Sequence, residues 1–257
     1  MNSSVEIERR GAIAVLRLNR PSRGNTLDGE VTADLSAAVQ QAGSNPEVRG
    51  IVVTGTGRLF CAGGDVSTLA EWGQLDHASR VAKYRGSQEL VKTLQACPIP
   101  VVAALNGSAA GAGVDLALAC DIRVAVPTAS LTAAFATVCL VPDLGGSWFL
   151  ARRIGRHQAL RFLLGGHKLP AGEALELGLV DRVVGPDEEL MDTACDVVLE
   201  LVENVPAPVL AESLLALRGA DQHDLETSMD RAAQAQARLM STPEHEERIA
   251  AFLTAAR

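Results

Sequence analysis

Two hydrophobic regimes follow one another along the chain. In the first, short unbroken apolar runs lead into turns of small residues, at 12–18, 50–54, 100–105 and 122–126. Runs of this length, with little polar alternation, fit strands covered on both faces, as in parallel sheets. Between them apolar residues recur at helical spacing. Val31, Leu35, Ala38 and Val39 predict a helix over 28–41, and Val81, Tyr84, Val91 and Leu94 one over 78–96. The second of these must end at Cys97-Pro98-Ile99-Pro100, because proline cannot continue a helix. A third helix is predicted over 111–119. From residue 158 the pattern is mainly helical, with helices at 158–164, 171–177, 190–202, 207–217, 225–240 and 244–256 and a last short strand at 179–184. An α/β core followed by a helical tail is the architecture this order dictates, with a division near 190: 1–190 as the core and 191–257 as the tail.

Composition narrows the chemistry. Hydrophobic residues make up 47% of the 257, but aromatics only 3%, so Ala, Val, Leu and Ile must fill the core and let backbones approach closely. The net charge of −8 and the presence of only three lysines, Lys83, Lys92 and Lys168, argue against nucleic acid as the ligand. An anionic ligand must then be met by arginine or by backbone N–H groups. The five cysteines include no C-x-x-C pair and mostly sit among apolar residues, which predicts reduced, buried thiols rather than disulfides or zinc. No HExxH metal motif occurs. The first ten residues carry no apolar signal region, and no apolar run approaches the ~20 residues of a membrane span. A cytoplasmic protein outside the membrane is the expectation.

Two turns hold the candidate chemistry. Leu59-Phe60-Cys61-Ala62-Gly63-Gly64-Asp65 follows the second strand, and Asn106-Gly107-Ser108-Ala109-Ala110-Gly111-Ala112-Gly113 follows the third and opens a helix. Small residues there admit a ligand to the backbone, and unpaired N–H groups at a helix start attract negative charge. Taken singly, either turn could be no more than a tight turn needing positive φ. Neither fits G-x-G-x-x-G, and no Gly-Lys-Ser/Thr P-loop is present.

In order and spacing, "LNRPSRGNTLD" (18–28), "TGTGRLFCAGGDV" (54–66), "NGSAAGAGVDLALACDIRVA" (106–125), "LVPDLGGSWFLARRIG" (140–155) and "LPAGEALELGLVDRVV" (169–184) resemble the crotonase, or enoyl-CoA hydratase/isomerase, superfamily. The resemblance implies a repeated ββα spiral with a helical C-terminal region that packs a trimer, or a hexamer as a dimer of trimers. It implies an acyl-CoA thioester as the ligand, with coenzyme A entering as part of the substrate and no metal or further cofactor. It places the two N–H donors of an oxyanion hole at Gly64 and Ala112, and coenzyme A contacts at Arg23, Ala62, Gly63, Asp65 and Val66. Gly111, Phe135 and Leu140 complete the implied substrate lining. Asp65 could equally cap the helix that follows it.

The acid/base positions depart from the hydratase pattern. Hydratases of the family carry two glutamates; Asp115 stands at the first position and Phe135 at the second. "VPDLGG" (141–146) is similar to a subgroup of isomerases acting on ring-derived or unsaturated acyl-CoAs, like those of the phenylacetate pathway, in which this aspartate is the base. Asp143 is thus the expected base, within an apolar setting of Phe135, Leu140, Val141 and Trp148, although it could instead cap a helix starting near Gly146. Asp115 is either a second acid or a polar helper. The resemblance therefore implies an enoyl-CoA isomerase. The alternatives are a 2-enoyl-CoA hydratase using Asp115 and Asp143, and a non-catalytic coenzyme A- or RNA-binding relative. The tail, 251–257, lacks the lysine that family tails often direct at the nucleotide end of coenzyme A.

Overall fold

A computed structural model describes residues 3–255. The end of the helix expected to reach Ala256, and Arg257 of the tail, lie outside the described residues. The chain opens with an antiparallel pair, β1 (Val5–Arg10) and β2 (Ile13–Leu18), turned at Gly11. Helix α1 (Gly29–Ser44) follows, its first amides accepted by the Asp28 carboxylate.

A ββα unit then recurs. β3 (Gly50–Gly55) and β4 (Leu59–Cys61) lead to α2 (Val66–Gly73) and α3 (His77–Ala96). β5 (Val101–Leu105) and β6 (Ser108–Ala110) lead to α4 (Ala112–Ala119). β7 (Ile122–Ala125) and β8 (Ser130–Thr132) lead to α5 (Gly146–Gly165). β9 (Lys168–Pro170), α6 (Ala171–Glu176) and β10 (Arg182–Val183) close the spiral. The first strand of each unit joins a six-stranded sheet ordered β1-β2-β3-β5-β7-β10, parallel from β2 onward. The second joins a four-stranded sheet ordered β4-β6-β8-β9. The expected ββα spiral is the fold.

The apolar runs read as covered strands are covered. Leu16, Ile51, Val53, Ala103 and Leu105 point into the main core with the α1, α3 and α4 faces. Val15, Val52, Val102, Ala104 and Val124 point to the other face, which α7 (Leu190–Val202) closes with Ala194, Val197 and Val198. The rest of the tail is α8 (Ala207–Gly219), α9 (Leu225–Leu239) and α10 (Pro243–Ala255). Arg218 of α8 binds the Asp121 carboxylate at 2.6 Å and the Cys97 carbonyl at 2.5 Å, tying the tail to the spiral.

The structure differs from the expectation in three ways. Five strands are not among the expected runs: β1 (Val5-Glu6-Ile7-Glu8) alternates over only four residues, and β4, β6, β8 and β9 span three residues each, too short to show a period. The helix expected at 158–164 begins twelve residues earlier, as α5. Gly155 (φ 72°, ψ 160°) interrupts it, so only the second half shows a continuous pattern. The strand expected at 179–184 pairs only through Arg182 and Val183.

Candidate active site

The two glycine-containing turns lock together back to back. A parallel bridge pairs Leu27 with Gly64, using Leu27 N–H to Gly63 O (2.8 Å) and Asp65 N–H to Leu27 O (3.0 Å). Because successive amides of an extended segment point to opposite sides, the Gly64 N–H lies outside this bridge. Ala112 is the first residue of α4, where the helix ladder offers its N–H no acceptor. Gly63 (φ 102°) is what brings the turns together: a Cβ there would lie 2.7 Å from Ala110 O and 3.5 Å from Ala112 N. In return, a Cβ on Gly113 would overlap the Cys61 carbonyl. Gly111 (φ 49°, ψ −123°) reverses the chain into α4, and the Phe135 ring reaches to 4.0 Å of where its Cβ would stand. Two unladdered amides at adjoining turns, one at a helix N-terminus, form a site for an oxyanion.

Asp65 is buried and caps α2, accepting from Ser67 N (3.1 Å) and Thr68 N (3.2 Å). It also binds Ser67 Oγ, Thr26 Oγ1 and Arg23. The Ser67 hydroxyl foremost, with these partners, holds its pKa down at about 2. The cap reading of Asp65 is therefore the arrangement found. Arg23 reaches from the opposite side of the turn, half-exposed, to Asp65 Oδ2 at 2.7 Å. Ala62 and Val66 are exposed beside it, available to a ligand's surface.

Asp115 lies on the first turns of α4 and is only 1% exposed. Its Oδ2 accepts from Leu144 N–H at 3.3 Å, while Oδ1 has no partner among the described residues. The carboxylate packs against Gly146, where a Cβ would overlap it, which accounts for the second glycine of the "DLGG" run. Burial, and then the charge of Asp143, push its pKa up to about 7. Asp143 stands in the segment between β8 and α5, its pKa also raised by burial. It does not cap α5: Gly145, in the left-handed region, occupies that position. Its apolar setting is narrower than expected. Phe135 is buried, Trp148 is half-buried and meets Phe149 edge-on, but Leu140 is exposed and Val141 is 75% exposed.

The structure thus brings Gly63, Gly64, Gly111, Ala112, Asp115, Phe135 and Asp143 to one region, with Arg23, Ala62, Asp65 and Val66 on the adjoining turn and Leu140 at the exposed rim. It adds two residues that no motif singles out. Gln88 of α3 donates from Nε2 to Asp143 O at 3.0 Å. Tyr84, one turn earlier, has its phenol pKa raised by burial and by the charge of Asp143, and its ring meets Trp72 edge-on at 5.3 Å. Helical periodicity marks Tyr84 only as a residue of the α3 apolar face; it says nothing of what that face meets.

A two-sheet ββα spiral with unladdered amides at its second and third turns defines a crotonase-type protein. Comparison with known proteins agrees. The enoyl-CoA hydratase/isomerase family matches residues 8–255. The chain is 35% identical over 248 residues to 1,2-epoxyphenylacetyl-CoA isomerase of Escherichia coli K12, covering 94% of this chain and 92% of that protein. It is 30% identical over 252 residues to the short-chain-enoyl-CoA hydratase of Clostridium acetobutylicum, covering 98% and 95%. The crystal structure of an enoyl-CoA hydratase/isomerase from Cupriavidus metallidurans CH34 superposes with a TM-score of 0.89 at 29% identity, covering 98% of this chain and 94% of that one. The chain belongs to the enoyl-CoA hydratase/isomerase family and is an enzyme of the crotonase superfamily.

Proposed function

We propose that the enzyme is an enoyl-CoA isomerase that shifts a double bond between the 3 and 2 positions of an acyl-CoA, with Asp143 as the base. The thioester oxygen docks on the Gly64 and Ala112 N–H groups. Asp143 takes a proton from C2, and the electron pair delocalises into a dienolate whose oxygen charge the two amides stabilise. The same carboxyl returns the proton at C4, so C3=C4 becomes C2=C3 with no net loss of atoms. The mechanism uses no cofactor beyond the coenzyme A of the substrate. Arg23, Ala62, Gly63, Asp65 and Val66 border that coenzyme A; Gly111, Phe135 and Leu140 border the acyl part. Five free thiols suit a cytoplasmic setting. The relative named for 1,2-epoxyphenylacetyl-CoA makes a ring-derived acyl group a substrate worth including.

The observation that carries this reading is the contrast between the two carboxyls. Asp143 is partly exposed with a raised pKa, as a base acting on a weakly acidic C–H needs; Asp115 is enclosed and one of its oxygens already holds the Leu144 amide. A second reading, a 2-enoyl-CoA hydratase using Asp115 and Asp143, draws on the electrostatic coupling of that pair. Incubation with 3-enoyl- and 2-enoyl-CoAs in D2O and in 18O-water, followed by mass spectrometry, separates them. Deuterium at C2 or C4 with no 18O is the expected result; 18O in the product establishes the hydratase. Asp143→Asn is expected to lower exchange and isomerisation by about 10²–10⁴-fold with acyl-CoA affinity near normal, and to cost more than Asp115→Asn. The reverse order of the two variants would reassign the base.

A further inference from the structure

The peptide unit joining Asp143 to Leu144 is held from both ends. Gln88 Nε2, on α3, donates to its carbonyl at 3.0 Å, and its N–H donates to Asp115 Oδ2, on α4, at 3.3 Å. The chain before this unit is open: Val138, Cys139, Leu140 and Val141 are all exposed, and Cys139 sits at φ 55°. The chain after it turns through Gly145 at φ 89°. Residues 139–145, which carry Asp143, belong to no helix or strand that could fix the direction of its side chain. Gln88 reaches this unit because it lies four residues after Tyr84, on the same face of α3. The Tyr84 ring is itself set by the edge-on contact with Trp72, and the phenol feels the charge of Asp143. One face of α3 therefore addresses the segment that carries the base.

We propose that Gln88 is a positioning residue for Asp143: by holding the Asp143 carbonyl, it fixes the carboxylate in register with the carbon that loses its proton. The inference rests on the reading of Asp143 as the base. Gln88 touches no substrate and moves no proton; it restricts the swing of one peptide plane. A displacement of about 1 Å at a reacting group costs on the order of 10²-fold in rate, so a single tether of this kind has a measurable share in turnover.

The test compares Gln88→Met, Gln88→Lys and Asp143→Asn with the wild type, each first checked for fold by circular dichroism and thermal melting. Isomerisation of 3-hexenoyl-CoA and its C–H exchange in D2O give kcat and KM, and butyryl-CoA, which has no double bond to move, gives an affinity independent of turnover. Gln88→Met keeps length and removes the donor; it is expected to lower kcat by roughly 10–10²-fold while KM and butyryl-CoA affinity stay within about two-fold. Gln88→Lys returns an N–H donor and is expected to recover most of that loss. Gln88→Glu, of the same shape and without a donor when ionised, replaces the Met variant if that one does not fold. A Gln88→Met enzyme with wild-type kcat, beside an inactive Asp143→Asn, overturns the positioning role and leaves the base assignment standing. Equal losses in the Met and Lys variants assign Gln88 to packing and also overturn it. If Asp143→Asn keeps its rate, the base assignment falls and this inference falls with it.

Discussion

Asp115 is a carboxyl whose environment opposes its ionisation. It is enclosed by α4 and the Gly145–Gly146 turn, its Oδ1 lacks a partner among the described residues, and Asp143 lies close enough to add like charge. With a folded pKa near 7 against 3.8 for the free side chain, the folded state binds the proton more tightly than the unfolded chain. The stability this proton supplies is full below about pH 4 and is lost as pH rises through about 7. Asp115→Asn keeps an oxygen for the Leu144 amide and cannot ionise. Its melting temperature is expected to match the wild type near about pH 4 and to exceed it at about pH 8. A melting difference that is the same at both pH values would show that folding does not raise the Asp115 pKa. Enclosed in this way, Asp115 holds the neighbouring Leu144 peptide and does not reach outward.

At the scale of elements, what matters is how α4 begins. Gly111 takes a backbone conformation open only to glycine, Ala112 starts the helix, and Gly113 packs on Cys61 without room for a side chain. The Ala112 N–H is thereby directed by the helix axis and by the interlocked first turn together, and the α4 dipole adds to it. The Ala112 side chain is not part of this. Ala112→Gly is expected to change the rate by no more than a few-fold. Ala112→Pro lacks the N–H but suits the first position of a helix, so the fold can survive. It is expected to cost about 10²–10³ in kcat with little effect on coenzyme A affinity. A folded Ala112→Pro enzyme with full activity would remove the second donor from the mechanism.

At the scale of the whole molecule, the tail leaves large apolar side chains in the open. Leu217, Leu225, Met229, Met240, Phe252 and Leu253 are each more than half exposed on α8, α9, α10 and the turns beside them. Exposed apolar side chains concentrated on the terminal helices suit an interface between copies. We propose that residues 191–257 carry assembly into a trimer, or a dimer of trimers, around the acyl-CoA-binding spiral of 1–190. Light scattering and sedimentation at micromolar concentration are expected to give a multiple of three chains of 26.9 kDa. A monomer, or a dimer, removes this assignment. Among the described residues no helix is long and apolar enough to cross a membrane, so a lipid-spanning helix does not account for the patch.

Much of this molecule was written locally. Continuous apolar runs such as 50–54 mark strands covered on both sides, because a strand with one wet face would alternate; helical spacing and the Pro98–Pro100 stop mark α3. The glycine turns, and the ordered motifs that resemble the family, point to Gly64, Ala112 and Asp143 because those positions depend on backbone conformation and short-range spacing. Other features have no local cause. Three-residue strands form only when a neighbouring turn of the spiral offers them a partner, and α5 is legible only beyond Gly155 because its first half is a helix held by tertiary packing of Phe149 and Leu150. The pKa of Asp115 depends on Asp143, 28 residues away in the chain, and on what encloses it. Gln88 is an ordinary amide on an amphipathic helix until the fold sets α3 against the Asp143 carbonyl, 55 residues further along. The sequence by itself determined the longer elements, their order and the backbone turns, since these follow from conformational preference and periodicity. Only the tertiary structure decided which carboxyl is enclosed, which is accessible and what holds it in place, because those depend on distances between segments that no local pattern encodes.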